Sequence, residues 1–282
     1  MKEKACVHIP ATTANLGPGF DSQAIALSIY NCVVLRRVWR SPQEEMIEEV
    51  ARVFFEVSHQ EPFGFSCSID GMVPQARGLG SSVTVRLGVL MGLNNLSEGL
   101  LSMEDLYKIC AKLEGHPDNA AAAAFGGFII AREDLSFQKF ELALSLHFLL
   151  LIPDFEVRTT DARKVIPASI SIEDATLSAA YAAWTAAAFA SRNYHMLRGA
   201  FRDRFHQPYR QSLVPFLDEV ILEAEKAGAL GGWLSGSGST VTCLTLSHPD
   251  QVADAMQRAA PTGAYLLHTV ADNLGARLIS CS

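Results

Sequence analysis

The 282-residue sequence predicts a mixed α+β fold in two parts, on three observations. Short apolar segments of strand length are interspersed with longer segments of helical periodicity, and a second series of both begins near residue 145. Apolar side chains make up 49% of the chain, enough for a full core without disulfide or metal staples.

Taken in order, residues 4–9 read as the opening strand, and extended apolar residues follow over 24–38. Residues 44–57 have helical spacing. Phe63, Phe65, Cys67 and Ile69 then alternate with smaller or polar neighbours, as a strand requires. One helix is expected from Ser82 to about Asn94. A second covers 103–113, introduced by Ser102 with Asp105 three residues on, a variant of the capping box. The apolar run 144–152, ending at Pro153, reads as a strand opening the second part, which places the division at 1–144 and 145–282. That part holds a packed Ala-rich helix over 175–191, a helix over 213–227 and two strands flanking Gly236-Ser237-Gly238. A last helix over 250–259 and strands at 265–270 and 276–279 complete an α+β sandwich.

The formal charge of −7 speaks against a nucleic-acid partner, which asks for a basic face. No signal-peptide core follows Met1, and the uncharged stretch 175–191 is short and Ala-rich for a membrane span, so a cytoplasmic, membrane-free protein is expected. Six cysteines without a CxxC pair suggest neither zinc nor a disulfide framework, and reduced thiols are expected.

The strongest local signal is Pro74-Gln75-Ala76-Arg77-Gly78-Leu79-Gly80-Ser81-Ser82 at a helix start. Glycines admit a ligand to the main chain, and free N–H groups at a helix start attract anions, so phosphate is the natural guest. An ordinary strand-to-helix turn is the competing reading of the loop alone. A Gly-Lys pair is absent, which excludes a Walker A loop, and the third glycine of a dinucleotide fingerprint is missing.

Two further segments occur in matching order, residues 10–21 (PATTANLGPGFD) and 234–240 (LSGSGST). Together the three motifs resemble those of the GHMP kinase superfamily (galactokinase, homoserine, mevalonate and phosphomevalonate kinases). Residues 114–119 (EGHPDN), 159–163 (TTDAR) and 206–210 (HQPYR) are similar to segments of the homoserine kinase family. The resemblance implies a two-part fold, an N-terminal ribosomal-protein-S5-like α/β half and a C-terminal ferredoxin-like α+β half, and a homodimer. It implies ATP held by Pro74, Arg77, Gly78, Leu79, Gly80, Ser81 and Ser82, with Mg²⁺ on Ser82 and Glu114. For L-homoserine, whose ends are a carboxylate, an ammonium and a hydroxyl, Arg163 and Arg210 are candidates for the carboxylate, since guanidinium matches it in a bidentate fork. Asp21 would take the ammonium, with Asn15 and His116 as orienting groups. Asp118 and Asn119 are candidate orienting groups near the reacting hydroxyl, and Thr159 is expected near the transferred phosphoryl group.

Other readings stay open from the residues alone: L-threonine, mevalonate or shikimate as substrate, or a ligand sensor that kept the fold and lost catalysis. Two departures from the family pattern stand out. Arg86 lies one helical turn behind Ser82, either projecting outward or adding to the nucleotide field, and Ser239 replaces a common proline, which is expected to loosen its turn. The chain is also short between its first two motifs, so adenine contacts are not legible and a relaxed nucleotide preference is expected.

Overall fold

Strands β1 (Lys4–Ala14) and β2 (Gln23–Arg37) build a long antiparallel pair in a computed structural model that describes residues 2–39 and 42–280. Their register shifts at Pro10/Ala11. A bulge there changes which face of the sheet the next side chains meet: Ala5, Val7 and Ile9 enter one core, and Ala11 enters another. The chain continues through α1 (Glu45–Ser58), β3 (Phe65–Gly71), α2 (Ser81–Leu96), α3 (Met103–Glu114), α4 (Asp118–Phe125), β4 (Phe128–Ala131) and β5 (Phe137–Phe140). The length of β2 lets it pair with β4 through residues 23–25 and with β3 through residues 31–37.

The second part comprises β6 (His147–Ile152), α5 (Thr159–Lys164), α6 (Ile172–Ala190), α7 (Gln207–Arg210), α8 (Leu217–Lys226), β7 (Gly231–Leu234), β8 (Val241–Thr245), α9 (Pro249–Arg258), β9 (Tyr265–Val270) and β10 (Arg277–Ile279). One sheet has the order β10-β1-β2-β4-β5 with β3 also on β2, and the other has the order β7-β8-β6-β9. β10 departs from the expected sandwich, because it pairs with β1 and returns the end of the chain to the first sheet.

Strand β6 shows how the layers are joined. Phe148, Leu150 and Ile152 face a core shared with Ile25, Leu27 and Phe128 of the first sheet, whereas Leu149 and Leu151 face Val220 and Val252 of α8 and α9. Helices α1 to α4 cover the other face of the first sheet. Covered on both faces, the central strands β6 and β8 are buried along nearly their whole length, which suits the apolar run Phe148 to Ile152.

Two sequence expectations need correction. The Ala-rich helix α6 is not packed all round: it buries only Ser178, Thr185, Ala188 and Phe189, while Ile172 and Trp184 are exposed. Alanine's high helix propensity favours such a helix without full burial. Cys6 is disulfide-bonded, although Cys32, Cys67, Cys110 and Cys243 are free thiols as expected; Cys281 and Arg40 lie outside the described residues. No helix among the described residues is long and apolar enough to cross a membrane.

Candidate active site

The three glycine-rich motifs, distant in sequence, are bonded to one another. The Thr12 N–H donates to the Leu79 carbonyl at 3.1 Å, Gly236 N–H donates to Ala14 O at 3.2 Å, and the Ser235 hydroxyl donates to Gly78 O at 2.7 Å. Gly78 has φ 74°, and a Cβ there would run into the Ser235 carbonyl, so the second motif closes on the third only as glycine. Ser239 does not loosen its turn. Its hydroxyl donates to Phe155 O at 2.7 Å and its side chain is fully buried, which replaces the rigidity of a proline with a hydrogen bond.

Helix α2 starts at Gly80, a left-handed N-cap with no side-chain cap and no acidic residue in the first turn. Helix α3 differs, because Ser102 and Asp105 form a complete capping box. An uncapped start beside a cleft leaves main-chain N–H groups and the positive end of the helix dipole for an anion. Ser82, in that first turn, donates its hydroxyl to Glu114 Oε2 at 3.0 Å, and Glu114 is the last residue of α3, with its side chain 7% exposed. The two side chains supply two hard oxygens, as Mg²⁺ prefers, and phosphates with water would complete the shell; among the described residues no group of three or more acidic, His or Cys side chains offers a larger cage. Arg86 neither projects outward nor lines the cleft. Its Nη1 donates to Glu114 Oε1 at 2.5 Å, and Nη2 lies 3.6 Å from Glu49.

At the other end of the cleft, Arg163 forms a two-pronged ion pair with Asp21, at 3.0 and 2.8 Å. Arg210 is buried at 2% exposure, and its guanidinium donates to the carbonyls of Ala162 and Gly236 at 3.1 and 2.9 Å. Burial lowers its pKa to about 10, opposed by the Asp21 charge, so it stays cationic at neutral pH. Burial also pushes His206 down to about 4, against the pull of Asp203. A neutral imidazole has one donor and one acceptor nitrogen; here Nε2 donates to Gly17 O at 2.8 Å and Nδ1 accepts from Arg210 at 3.2 Å. Phe20, which the sequence reading did not single out, lies beneath both arginines, 5.7 Å from Arg163 and 5.3 Å from Arg210, an arrangement suited to cation–π attraction.

Asn15 has both ends of its amide engaged, accepting from the Asp21 N–H at 3.1 Å and donating to Gly236 O at 2.9 Å, so it braces the first motif against the third. His116 Nδ1 lies 3.4 Å from Asp118, an ion-pair distance without hydrogen-bond alignment; this carboxylate raises the His116 pKa, against burial. Asp118, almost fully buried, accepts the Asn119 N–H at 2.8 Å, and Asn119 Oδ1 accepts the Thr12 hydroxyl at 2.6 Å. Three carboxylates of the cleft have a basic partner within the chain: Glu114 has Arg86, Asp118 has His116, and Asp21 has Arg163.

Most of these groups line one cleft of about 710 Å³. It brings together Asn15, Asp21, Gly78, Gly80, Ser81, Ser82, Glu114, His116, Asp118, Asn119, Thr159, Arg163 and Arg210. The side chains of three expected nucleotide-binding residues do not line the cleft. Arg77 turns away to donate to Pro153 O at 3.0 Å, the Leu79 side chain is fully buried in the inter-sheet core, and Pro74 does not line the cleft. Beyond the phosphate loop the lining is apolar at Pro42, Met46, Ile47, Cys67 and Ile69 and polar at Gln43 and Glu44. No local motif marks this end; its residues come from α1, β3 and the segment before α1.

Known proteins resemble the chain over most of its length. Residues 45–127 match the family model for the GHMP kinases N terminal domain, and residues 185–262 match that for GHMP kinases C terminal. The homoserine kinase of Halothermothrix orenii is 38% identical over 274 residues, covering 90% of this chain and 88% of the relative. That of Clostridium beijerinckii is 34% identical over 291 residues, covering 97% and 98%. The crystal structure of homoserine kinase from Cytophaga hutchinsonii superposes with a TM-score of 0.90 at 25% identity, covering 99% of this chain and 98% of that one.

Proposed function

The chain belongs to the homoserine kinase family of the GHMP kinases, and from that premise we propose that it transfers the γ-phosphoryl group of ATP to the hydroxyl of L-homoserine, giving O-phospho-L-homoserine and ADP. The observation that carries this reading is the pairing, in one cleft, of an uncapped helix start with a charge arrangement complementary to a zwitterion. Asp21 and Arg163 now satisfy each other. A bound amino acid would insert between them, ammonium to Asp21 and carboxylate to Arg163 and Arg210, exchanging one ion pair for two. The existing pair is partly exposed and worth only about 0–1 kcal/mol, so opening it costs little.

The phosphates would lie along the main chain of residues 78–82 and the first turn of α2. Ser82 and Glu114 fit Mg²⁺ by the chemistry of their oxygens, and the ion when bound would neutralise charge on the β- and γ-phosphates. Phosphoryl transfer forms a bond from the substrate oxygen to the γ-phosphorus and breaks that phosphorus's bond to the bridging oxygen. It asks more of positioning and charge than of a base. Asp118 is tied to Asn119 and adjacent to His116, so we assign it with Asn119 to orienting the hydroxyl, and Thr159 to the transferred group. Adenine is assigned to the apolar end between Met46, Ile47, Cys67 and Ile69, whose shape-based contacts suit a relaxed purine preference.

The division at 1–144 and 145–282 is retained with β10 crossing back, and a cytoplasmic homodimer remains part of the proposal. An ADP-release assay with homoserine, threonine, mevalonate and shikimate tests the substrate. Turnover should be greatest with homoserine, and folded protein that turns over another of these alcohols instead would replace the assignment. The same assay with GTP tests the purine reading, and light scattering tests the dimer.

A further inference from the structure

Arg86 is an unusual occupant of a phosphate-binding helix, because its charge goes chiefly to the one carboxylate assigned to metal, at 2.5 Å, with the more exposed Glu49 farther off at 3.6 Å. It lies one turn after Ser82 on α2, with its side chain 17% exposed, and it takes Glu114 Oε1 while Ser82 takes Oε2. It does not line the cleft, so any effect on a nucleotide passes through Glu114. A buried carboxylate beside a diphosphate would repel it unless a cation intervened, since a low-dielectric setting strengthens like-charge repulsion. We propose that Arg86 is a positioning and charge-balancing residue: it aims Glu114 at the metal site and neutralises it when metal is absent, so that the phosphate loop accepts free ADP as well as Mg·ADP.

This rests on the reading of Ser82 and Glu114 as the metal end of an ATP site. The consequence is a weak coupling between metal and nucleotide, with Mg²⁺ changing ADP affinity less than a bare carboxylate would allow. Reciprocity then requires ADP to change Mg²⁺ affinity by the same modest factor.

The test is ADP binding by calorimetry to the full chain, with EDTA and with saturating Mg²⁺, and the readout is the ratio of the two dissociation constants. Arg86→Gln should weaken metal-free ADP about tenfold and weaken Mg·ADP by less than about threefold, raising the ratio of metal-free to Mg²⁺ dissociation constants about three- to tenfold. Equal loss in both conditions, or no loss, overturns the proposal. Since Arg86→Gln leaves a buried carboxylate unpaired and could fail to fold, the charge-balanced Arg86→Gln/Glu114→Gln variant provides a second test. Its metal-free ADP affinity should lie within about threefold of the parent, and a loss of about tenfold overturns the proposal. Glu114→Gln alone separates the two readings. If it leaves the ratio unchanged, the metal assignment itself fails; if it lowers the ratio while Arg86→Gln does not raise it, only the role of Arg86 fails.

Discussion

At the phosphate end of the cleft Glu114 is 7% exposed and held between Ser82 and Arg86, whereas at the substrate end Asp21 and Arg163 pair with 37% and 41% of their side chains exposed. The first arrangement is buried, reinforced by main-chain bonds among three motifs, and has one geometry. The second is solvated and held by charges that a zwitterion can replace in kind. Under the proposed function the difference would match what is asked of each end: phosphates would meet preorganised donors, while the amino acid would have to enter and the product to leave.

The comparison is broken most severely at Gly78. Gly78→Ala forces a side chain into a left-handed position against the Ser235 main chain, and should lower stability by about 3 kcal/mol or more and abolish ADP binding, as read by thermal unfolding and calorimetry. A variant with parental melting and ADP affinity would show that the phosphate end is not rigid. Next in size, Glu114→Gln should cut kcat about 100-fold or more with little change in the KM for homoserine, because it removes a charge used at the phosphates alone.

Arg163→Ala should raise the KM for homoserine about 30-fold or more and leave the melting temperature nearly unchanged, since its present pair is solvated. Arg210→Ala sharpens the contrast within the same end. It should raise KM similarly but also lose about 2 kcal/mol of stability, because Arg210 is buried and braces Ala162 and Gly236. Equal stability losses for the two arginines would remove the distinction between the exchangeable and the fixed cation.

The smallest effect concerns His116. Its pKa is raised above the ordinary histidine value by Asp118, so the pair's contribution is complete below that ordinary value and is lost as pH rises through the raised one. His116→Gln should therefore be less stable than the parent by about 1 kcal/mol near pH 5.5 and indistinguishable from it near pH 9, by denaturant titration at each pH. A gap that is constant with pH would mean that the ring is held by packing rather than by charge.

Much of the first part was legible because its signals are local. The capping box of α3 is a four-residue pattern, and the period-two run before Gly71 and the glycine loop before α2 are similarly short. Short elements without such markers, α4, β5 and α5 among them, were not. The last strand was recognised as a strand but its sheet was not legible, since the apolar pattern of β10 does not say which neighbour will accept its hydrogen bonds. In the cleft, residues in contiguous motifs were recognisable, whereas Phe20 was passed over inside one of them and the apolar end had no motif at all.

Sequence alone determined the α+β class, a glycine-rich loop at 78–82 ahead of a helix and, through the motifs shared with a family, the charged residues that are candidates for the site. Those depend on residue type and short spacing. Only the tertiary structure decided that Arg77 turns away, that Asp21 and Arg163 satisfy each other, that Ser239 ties its turn, and that Arg86 holds Glu114. Each of these is a choice of partner for a polar group. A side chain's chemistry limits the possible partners, but burial and distance, set by segments far apart in the chain, select among them.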